Sequence, residues 1–262
     1  MAYPLSVSPI FRLEDKLGAA STRAYLYRMN TSPGLLAGDA IGISLQMTSD
    51  SQLYLADQSA TKVHAMPPGE TASVNYSIEL GEQTTLEFLP EPLILFTDAA
   101  LTQQTEITIN ASAGLSLGEI ILPGRLARGE VYQFRQYLSR IRVRSTAGKL
   151  LFVEAMNLIG KGNLFAQSSL FASGRVLGSL VLILPEAIAT PENLSALGRE
   201  IEALADKGEE PSLDLASSVL PGDRGLFVRA IATTTRELQS CFRNAINRVR
   251  KLRNQAQLPY SV

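Results

Sequence analysis

The sequence contains only one cysteine and one histidine in 262 residues. With Cys241 alone, no disulfide can form within the chain, and a reducing cytoplasm is the expected compartment. A hydrolase triad needs a base beside its nucleophile, but no Gly-x-Ser-x-Gly turn accompanies the single histidine, His64. Sites for transition metals are normally built from imidazole and thiolate, and these two residues lie far apart in the chain. The scarcity of both residue types argues against a triad hydrolase and against a closed metal site.

Several other signals are missing. No G-x-x-x-x-G-K-[ST] phosphate loop and no G-x-G-x-x-G dinucleotide turn occurs. The N-terminus has neither the basic nor the apolar region of a signal peptide. The longest apolar run, Val176 to Leu184, is much shorter than the roughly 20 residues that cross a bilayer, so it predicts a buried strand and no membrane span. Formal net charge is −1, from 24 basic and 25 acidic residues, which gives no general attraction to nucleic acid.

What the sequence does contain is a long alternation of apolar and polar residues. From Ala40 to about Leu184 the period is near two, and turn signals rich in glycine and proline fall between the alternating segments. The 45% hydrophobic content is enough for a sizeable core. We therefore predict one mainly β domain over residues 1–262, built as a sandwich, a barrel or a stack of strands.

Two helices are predicted in the last third, over residues 190–207 and 234–256. Thr190 is a good N-cap followed by proline, and apolar residues then recur at steps of three and four. The second helix begins at Thr234 with Glu237 three positions on, which is a capping box. Residues 225–231 between the helices predict one further strand.

Charge is divided between these two segments. Residues 186–214 carry eight acids and two bases, a net charge of −6, whereas residues 235–262 carry six bases and one acid, a net charge of +5. Two solvated helix faces are the simpler interpretation and a docking role is the alternative.

A series of short segments, none specific alone, occurs in an order that resembles a known family. They are Pro4-Leu5 with Pro9 and Phe11, Ser32-Pro33-Gly34 leading to Gly38-Asp39, Ala60-Thr61-Lys62, Leu86-Glu87-Phe88-Leu89-Pro90, Gly124-Arg125 with Gly129-Glu130, and Gly225-Leu226-Phe227-Val228-Arg229. In this order and spacing they resemble the urease accessory protein D family, known as UreD or UreH.

The resemblance implies a fold and a function. Members of the family are mostly β proteins with a helix-like stack of strands and two α-helices, and they are not enzymes. They bind accessory protein F and, through it, the GTP-binding accessory protein G, and the assembly docks on apo-urease. Nickel is thought to pass through a tunnel in the D protein, so we expect nickel as transient cargo and no tightly bound cofactor.

The resemblance also implies four residues in nickel passage: Asp39, Thr61, Glu119 and Glu154. Asp39 has a structural alternative, because aspartate often bonds backbone amides in turns. Glu119 is the weakest match, since the family usually has aspartate there at a slightly different spacing. Glu154 lies in an otherwise apolar strand, where a carboxylate needs water, a hydrogen-bond partner or a passing cation. His64 is expected to be a partly exposed strand residue, and Cys241 a packing residue of the last helix.

Two further expectations concern surfaces. The resemblance implies a late start, because relatives carry a strand or two before Pro-Leu, so an unpaired sheet edge and poor solubility are expected near Ala2 to Val7. The basic last helix is expected to contact accessory protein F through Arg243, Arg250 and Arg253.

The chief alternative is an unrelated β-solenoid or sandwich that binds or hydrolyses carbohydrate. In that case Glu119, Glu130 or Glu154 would supply the acid and the base.

Overall fold

The computed structural model describes residues 4–12, 23–162, 176–205 and 212–258. It confirms a mainly β protein of stacked strands with two helices in the last third. The strands within the described residues are β1 (Leu5–Val7), β2 (Phe11–Arg12), β3 (Arg23–Asn30), β4 (Ala40–Met47), β5 (Gln52–Asp57), β6 (Thr61–Val63), β7 (Ala72–Leu80), β8 (Thr85–Leu89), β9 (Leu93–Leu95), β10 (Ala100–Ile109), β11 (Gly114–Leu122), β12 (Gln136–Ser145), β13 (Leu150–Ile159), β14 (Val176–Ile183), β15 (Leu213–Val219) and β16 (Gly225–Ala232).

The chain winds as a solenoid in which each coil adds one strand to each of two sheets. Sheet B has the strand order β13-β12-β10-β7-β4, and its strands β4, β7, β10 and β12 are parallel. Sheet A has the order β1-β3-β5-β8-β11-β14-β16-β15, and its strands β3, β5, β8 and β11 are parallel. The short strands β6 and β9 form a third side next to β11. Successive turns therefore stack in register without any exact sequence repeat.

The helices α1 (Pro191–Glu202) and α2 (Thr235–Leu252) start where the caps predict. The Thr190 hydroxyl accepts a hydrogen bond from Asn193 N at 3.2 Å, and Thr234 with Glu237 forms the predicted capping box. Both helices end sooner than predicted. Asn254 adopts a left-handed φ of 54°, and Gln255 N donates to Arg250 O at 2.8 Å, which closes α2.

The second half of sheet A is antiparallel and carries both helices on its outer face. Strands β11, β14, β16 and β15 pair antiparallel, and α1 and α2 bury their apolar sides against them. A side-chain carbon at Gly178 would lie 2.7 Å from the Phe242 ring, so glycine here lets the ring of α2 lie directly on the sheet. Cys241 is buried in the same contact, as predicted.

The predicted strand at Val176 and the strand beginning at Gly225 are confirmed, whereas β3, which precedes the predicted alternation, was not predicted, and neither was β15. The alternation of β15 is weak, because Ser217 takes a place where an apolar residue would mark the pattern. β1 lies at one end of sheet A, so the described part of the predicted N-terminal edge is an edge strand. No helix in the described part of the chain is long and apolar enough to span a bilayer.

Candidate functional site

A cavity of about 80 Å³ runs between the two sheets, and polar side chains line its middle. Apolar clusters lie on either side of these polar groups, one centred on Leu86 and Ile107 and the other on Leu95 and Leu101. We call the polar groups between the two clusters the polar layer. Its members are Arg28, Asp57, Tyr76, Gln103, Thr105, Glu119, Tyr137 and Ser139. Polar groups this deep in a core require partners, so their contacts define the site.

One half of the polar layer centres on Arg28. Its guanidinium donates two parallel hydrogen bonds to the Asp57 carboxylate, at 2.7 and 2.8 Å, and a third to the Tyr76 hydroxyl at 2.6 Å. Parallel pairing of β3 with β5 places Arg28 directly beside Asp57. The side chains of Arg28 and Asp57 are only 11% and 4% exposed, so the pair is a buried, bidentate ion pair.

The other half centres on Glu119 of β11. Its Oε1 accepts hydrogen bonds from Tyr137 at 2.5 Å, Gln103 at 2.9 Å and Ser139 at 3.2 Å. No described side chain bonds its Oε2, which leaves one carboxylate oxygen open to the cavity. Burial raises the pKa of Glu119, and the hydrogen bonds from Tyr137 and Ser139 only partly oppose that shift. Burial, followed by the neighbouring Glu119, likewise raises the pKa of Tyr137 well above its usual range.

The strand register of sheet A places further polar side chains beside Glu119. Glu119 pairs with Ser179 of β14, and Ser179 pairs with Arg229 of β16, so the three side chains share one face. Arg229 bonds Glu154, which projects from β13 of the opposite sheet. The Glu154 side chain is 23% exposed. The carboxylate in the apolar strand is therefore satisfied by an ion pair. Glu154 is also among the charges that raise the pKa of Glu119, after the larger effect of burial.

The other two residues carried over from the family lie towards the rim. Asp39 Oδ2 accepts a hydrogen bond from Leu36 N at 2.8 Å in the turn before β4, which is the structural role considered for it. Thr61 lines the cavity wall, and its backbone N–H donates to Pro92 O. Thr61, Glu119 and Glu154 are thus placed in or next to the cavity, whereas Asp39 lies outside its lining.

The basic last helix does not present all three predicted arginines. Arg243 and Arg253 are half-buried, but Arg250 is fully buried. The Arg250 guanidinium bonds the carboxylate of Glu87, a residue that is 3% exposed. The prediction that Arg250 contacts a partner is therefore corrected: its charge is neutralised inside the protein, where it ties α2 to β8.

The Gly-Arg and Gly-Glu motif forms a closed loop. Arg125 donates to Glu130 in a bidentate ion pair, and its guanidinium carbon lies 4.3 Å from the centre of the Phe96 ring. Gly124 has a φ of 146°, and a side-chain carbon there would lie 2.3 Å from Glu130 O. These residues shape the loop between β11 and β12. The hydrogen bond from Arg125 lowers the pKa of Glu130, which disfavours the protonated form that a catalytic acid needs.

A smaller cavity of about 50 Å³ lies between sheet A and α2 and shares part of its wall with the interior cavity. Asp57, Pro90 and Glu91 belong to both walls. Gln239 of α2 donates to Glu91 at 3.0 Å, and burial raises the pKa of Glu91. At the segment between β8 and β9, the interior cavity therefore comes close to the side of sheet A that α2 covers.

No group of three or more histidine, cysteine, aspartate or glutamate side chains capable of holding a metal ion occurs in the described ranges. His64 is half-buried as predicted, but it lies just after β6 and not within a strand, with Nε2 at 3.1 Å from Pro33 O. Burial raises the pKa of the Cys241 thiol to about 12, so it is an inert packing group. The described residues provide single carboxylates one after another in space, but they do not form a cluster of metal ligands.

Sequence reasoning missed Arg28, Asp57, Tyr76 and Tyr137. Asp57 ends a strand whose preceding residues are mostly apolar, and Arg28 lies in a strand rich in aromatic residues. Such unmatched charges in apolar strands are a signal of a buried pair, but only the strand register reveals the partner.

The described chain is thus a solenoid with a polar interior and two covering helices. Comparison with known proteins shows the family to which it belongs. The sequence model of the UreD urease accessory protein family matches residues 1–261. A relative in Trichodesmium erythraeum, "Urease accessory protein UreD", is 44% identical over 259 residues, covering 98% of this chain and 90% of its own length.

More distant relatives agree. "Urease accessory protein UreD" of Actinobacillus pleuropneumoniae serotype 5b is 30% identical over 82% of this chain and 77% of its own length. "Urease accessory protein UreD 2" of Brucella canis is 27% identical over 88% of this chain and 74% of its own length. The chain belongs to the UreD urease accessory protein family. A role in urease maturation follows, and the alternative of an unrelated carbohydrate-acting module is set aside.

Proposed function

We propose that this protein is a non-enzymatic urease maturation factor of the cytoplasm, which passes nickel through its solenoid interior to apo-urease. The observation that supports this most directly is the polar layer, since burying so many polar groups between two apolar clusters costs free energy that an apolar core would avoid. In sheet A the layer extends from Arg28 of β3 to Glu119 of β11, which is three strand spacings or roughly 14 Å at about 4.8 Å each. Polar groups thus continue along the axis of the coils.

Carboxylates follow one another along this axis. Glu91 stands between the helix-side cavity and the interior, and its backbone N–H bonds Asp57. Glu119 occupies the middle of the interior cavity, and Glu154 lies beyond it with Arg229. Each carboxylate interacts electrostatically with a neighbour in the series or with a group between them. A divalent cation could move from one carboxylate to the next through such a series.

The chemistry of the site suits transfer better than storage. Nickel binds tightly to imidazole and thiolate sets, whereas single carboxylates and water hold it weakly. Glu119 offers one open oxygen, Oε2, while three donors fix the other. A weakly held cargo can leave for a site with more and better ligands, so no tightly bound cofactor is required of this chain.

The partners proposed are accessory protein F, accessory protein G through F, and apo-urease. Arg243 and Arg253 remain candidates for the contact with F, because both lie half-buried on or just after α2. Charged groups at such a surface would mainly affect the rate of association and its salt dependence.

Glu119→Gln tests the conduit. The amide keeps an oxygen for Tyr137 and Ser139 but removes the charge, so the accessory complex should still form while urease matured with it holds less nickel. Glu106→Gln is the matched control, since Glu106 lies on the outer face of the same solenoid and pairs with Arg142 at 2.8 Å. Nickel is measured by elemental analysis of purified urease. Normal nickel content with Glu119→Gln would contradict the proposal.

A further inference from the structure

Sheet B ends at β4, and one side of this strand is open. Within the described residues β4 pairs only with β7. Asp39 O accepts from Ser73 N at 2.8 Å and Met47 O accepts from Gly81 N at 3.0 Å, so the odd-numbered residues direct their backbone groups towards β7. The N–H and C=O groups of Gly42, Ser44 and Gln46 must then point to the open side.

This open side lacks the features that usually prevent strand addition. The β4 sequence, AIGISLQM, contains no charge and no proline over eight residues. Its inward row, Ile41, Ile43 and Leu45, is only half-buried and belongs to the rim of the apolar clusters. A long, uncharged, alternating edge templates the pairing of another strand.

The other sheet edges are protected. β1 is only three residues long and lies between Pro4 and Pro9. β13 carries the inward-pointing Glu154. β15 contains Asp214, and Glu202 of α1 bonds the neighbouring Ser217 on that strand. Among the described end strands, β1, β13 and β15 are protected by short length, proline or charge, so the unprotected edge of β4 distinguishes it from them.

The two sheets do not end at the same level. β4 follows β3 in the same coil, because Leu35 between them stacks on Val63 of β6, which lies between β5 and β7. Sheet A therefore extends about one strand, β1, beyond β4. With strands about 4.8 Å apart and sheets about 10 Å apart, this leaves a slot beside β4 roughly one strand wide, with β1 and the edge of β3 as its floor. Leu5 and Asn30 of that floor, together with Ile41 and Ile43, line the interior cavity. The slot is therefore continuous with the mouth of the cavity.

The overhang of sheet A excludes a second copy of this chain as the occupant. Antiparallel pairing of β4 with its own copy requires a two-fold axis perpendicular to the sheet, and both copies of sheet A would then lie on the same side. Their overhanging strands would occupy the same space. An extended segment of another protein meets no such obstacle.

We propose that β4 is a docking edge that accepts an extended segment of a partner protein by strand addition. The segment is uncharged, has apolar residues at alternate positions that cover Ile41, Ile43 and Leu45, and bonds the open backbone groups of Gly42, Ser44 and Gln46. The bound segment covers the slot and the mouth of the interior cavity. This docking does not depend on nickel passage, although the partners to be tested are those of the proposed function.

Amide hydrogen exchange tests the docking directly. The exchange of the Gly42, Ser44 and Gln46 amides is measured in the chain alone, with accessory protein F, and with apo-urease. These amides should exchange rapidly in the free chain and at least about tenfold more slowly with one of the two proteins. If they are already protected in the free monomer, or exchange equally fast with both proteins present, the proposal is wrong.

Ser44→Pro supplies a second test, because it removes an N–H that faces the open side, the position where an edge strand tolerates proline. Affinity for the protein that protects β4 should fall at least about tenfold, whereas the control Ser44→Ala, which keeps the N–H, should change it less than about twofold. Ser44→Lys keeps the backbone N–H, so it serves as a second variant in case Ser44→Pro does not fold. It should weaken docking as well. Unchanged binding with both Ser44→Pro and Ser44→Lys overturns the proposal. If nickel delivery is lost while the β4 amides are still protected on binding, the result contradicts the nickel conduit and not the strand addition.

Discussion

Glu87 and Arg250 are 163 positions apart and form a bidentate ion pair from which water is almost excluded. Their side chains are 3% and 1% exposed. The pair joins the middle of the solenoid to the last turn of α2, so the position of the basic helix is determined from inside the molecule.

Arg250→Met should be strongly destabilising, because it leaves the Glu87 carboxylate buried without a partner. The expected loss is about 3–5 kcal/mol in the free energy of unfolding, measured by urea denaturation. The control is Arg248→Met, which breaks the exposed pair with Glu200 and should cost less than about 1 kcal/mol. The double change Glu87→Leu with Arg250→Met should recover most of the loss. Equal losses for the two single variants would contradict this account.

Glu119→Gln should raise stability at neutral and alkaline pH. Since burial raises the pKa of Glu119, the folded protein retains a proton that the unfolded chain releases above its ordinary pKa of 4.5. The stability of the parent therefore falls as pH rises from that value through the folded-state pKa. The variant should be more stable by on the order of 1 kcal/mol at about pH 8 and by less at about pH 5. Urea denaturation at both pH values gives the comparison, and a pH-independent difference would refute the assignment.

Gly124→Ala should be more costly than Gly129→Ala. Both glycines have positive φ, but a side-chain carbon at Gly124 would overlap the backbone of Glu130, whereas at Gly129 nothing lies within 4 Å. We expect about 1–3 kcal/mol or more for Gly124→Ala and about 1 kcal/mol for Gly129→Ala. Thermal unfolding of both variants measures this. Should Gly129→Ala be the worse of the two, the loop description fails.

Glu154→Gln distinguishes a role of Glu154 in nickel passage from a purely structural role. The amide keeps the shape and part of the hydrogen bonding to Arg229, so the fold should lose little, but the charge needed to attract a cation disappears. If Glu154 takes part in passage, the variant should form the accessory complex and leave urease short of nickel. Normal nickel content and full urease activity would assign Glu154 to structure alone.

Arg243→Glu should slow the association with accessory protein F and weaken its salt dependence, since a rim charge mainly affects the approach of two proteins. Stopped-flow or surface-based kinetics at several salt concentrations provides the rate. Arg250 is unsuitable for this experiment, because its loss would act through folding. An unchanged rate and salt response would exclude Arg243 from the contact.

The fold was largely predictable because it depends on local patterns. Apolar alternation predicted the strands between Ala40 and Leu184 but not β3, and caps at Thr190 and Thr234 predicted both helix starts. The helix ends were harder, since the left-handed turn at Asn254 has no strong signal. β15 was not predicted because small polar residues interrupt its alternation.

The site was less predictable, because its contacts join distant strands. Arg28 and Asp57 lie 29 positions apart and meet only through parallel register. Arg250 was assigned to a surface because charge was summed over a segment, and such a sum does not show which side of a helix faces inward. Glu119 and Glu154 were assigned to nickel passage by resemblance, although the apolar strand around Glu154 also marked that carboxylate as unusual.

The polar layer takes its members from six strands, spread over successive coils. Its length is therefore counted in whole coils, and the gain or loss of one coil would lengthen or shorten the interior by about 4.8 Å. Such a change would leave the open edge at β4 and the face under α2 intact. A solenoid built this way could adjust the distance between its two ends in discrete steps while keeping the surfaces at each end unaltered.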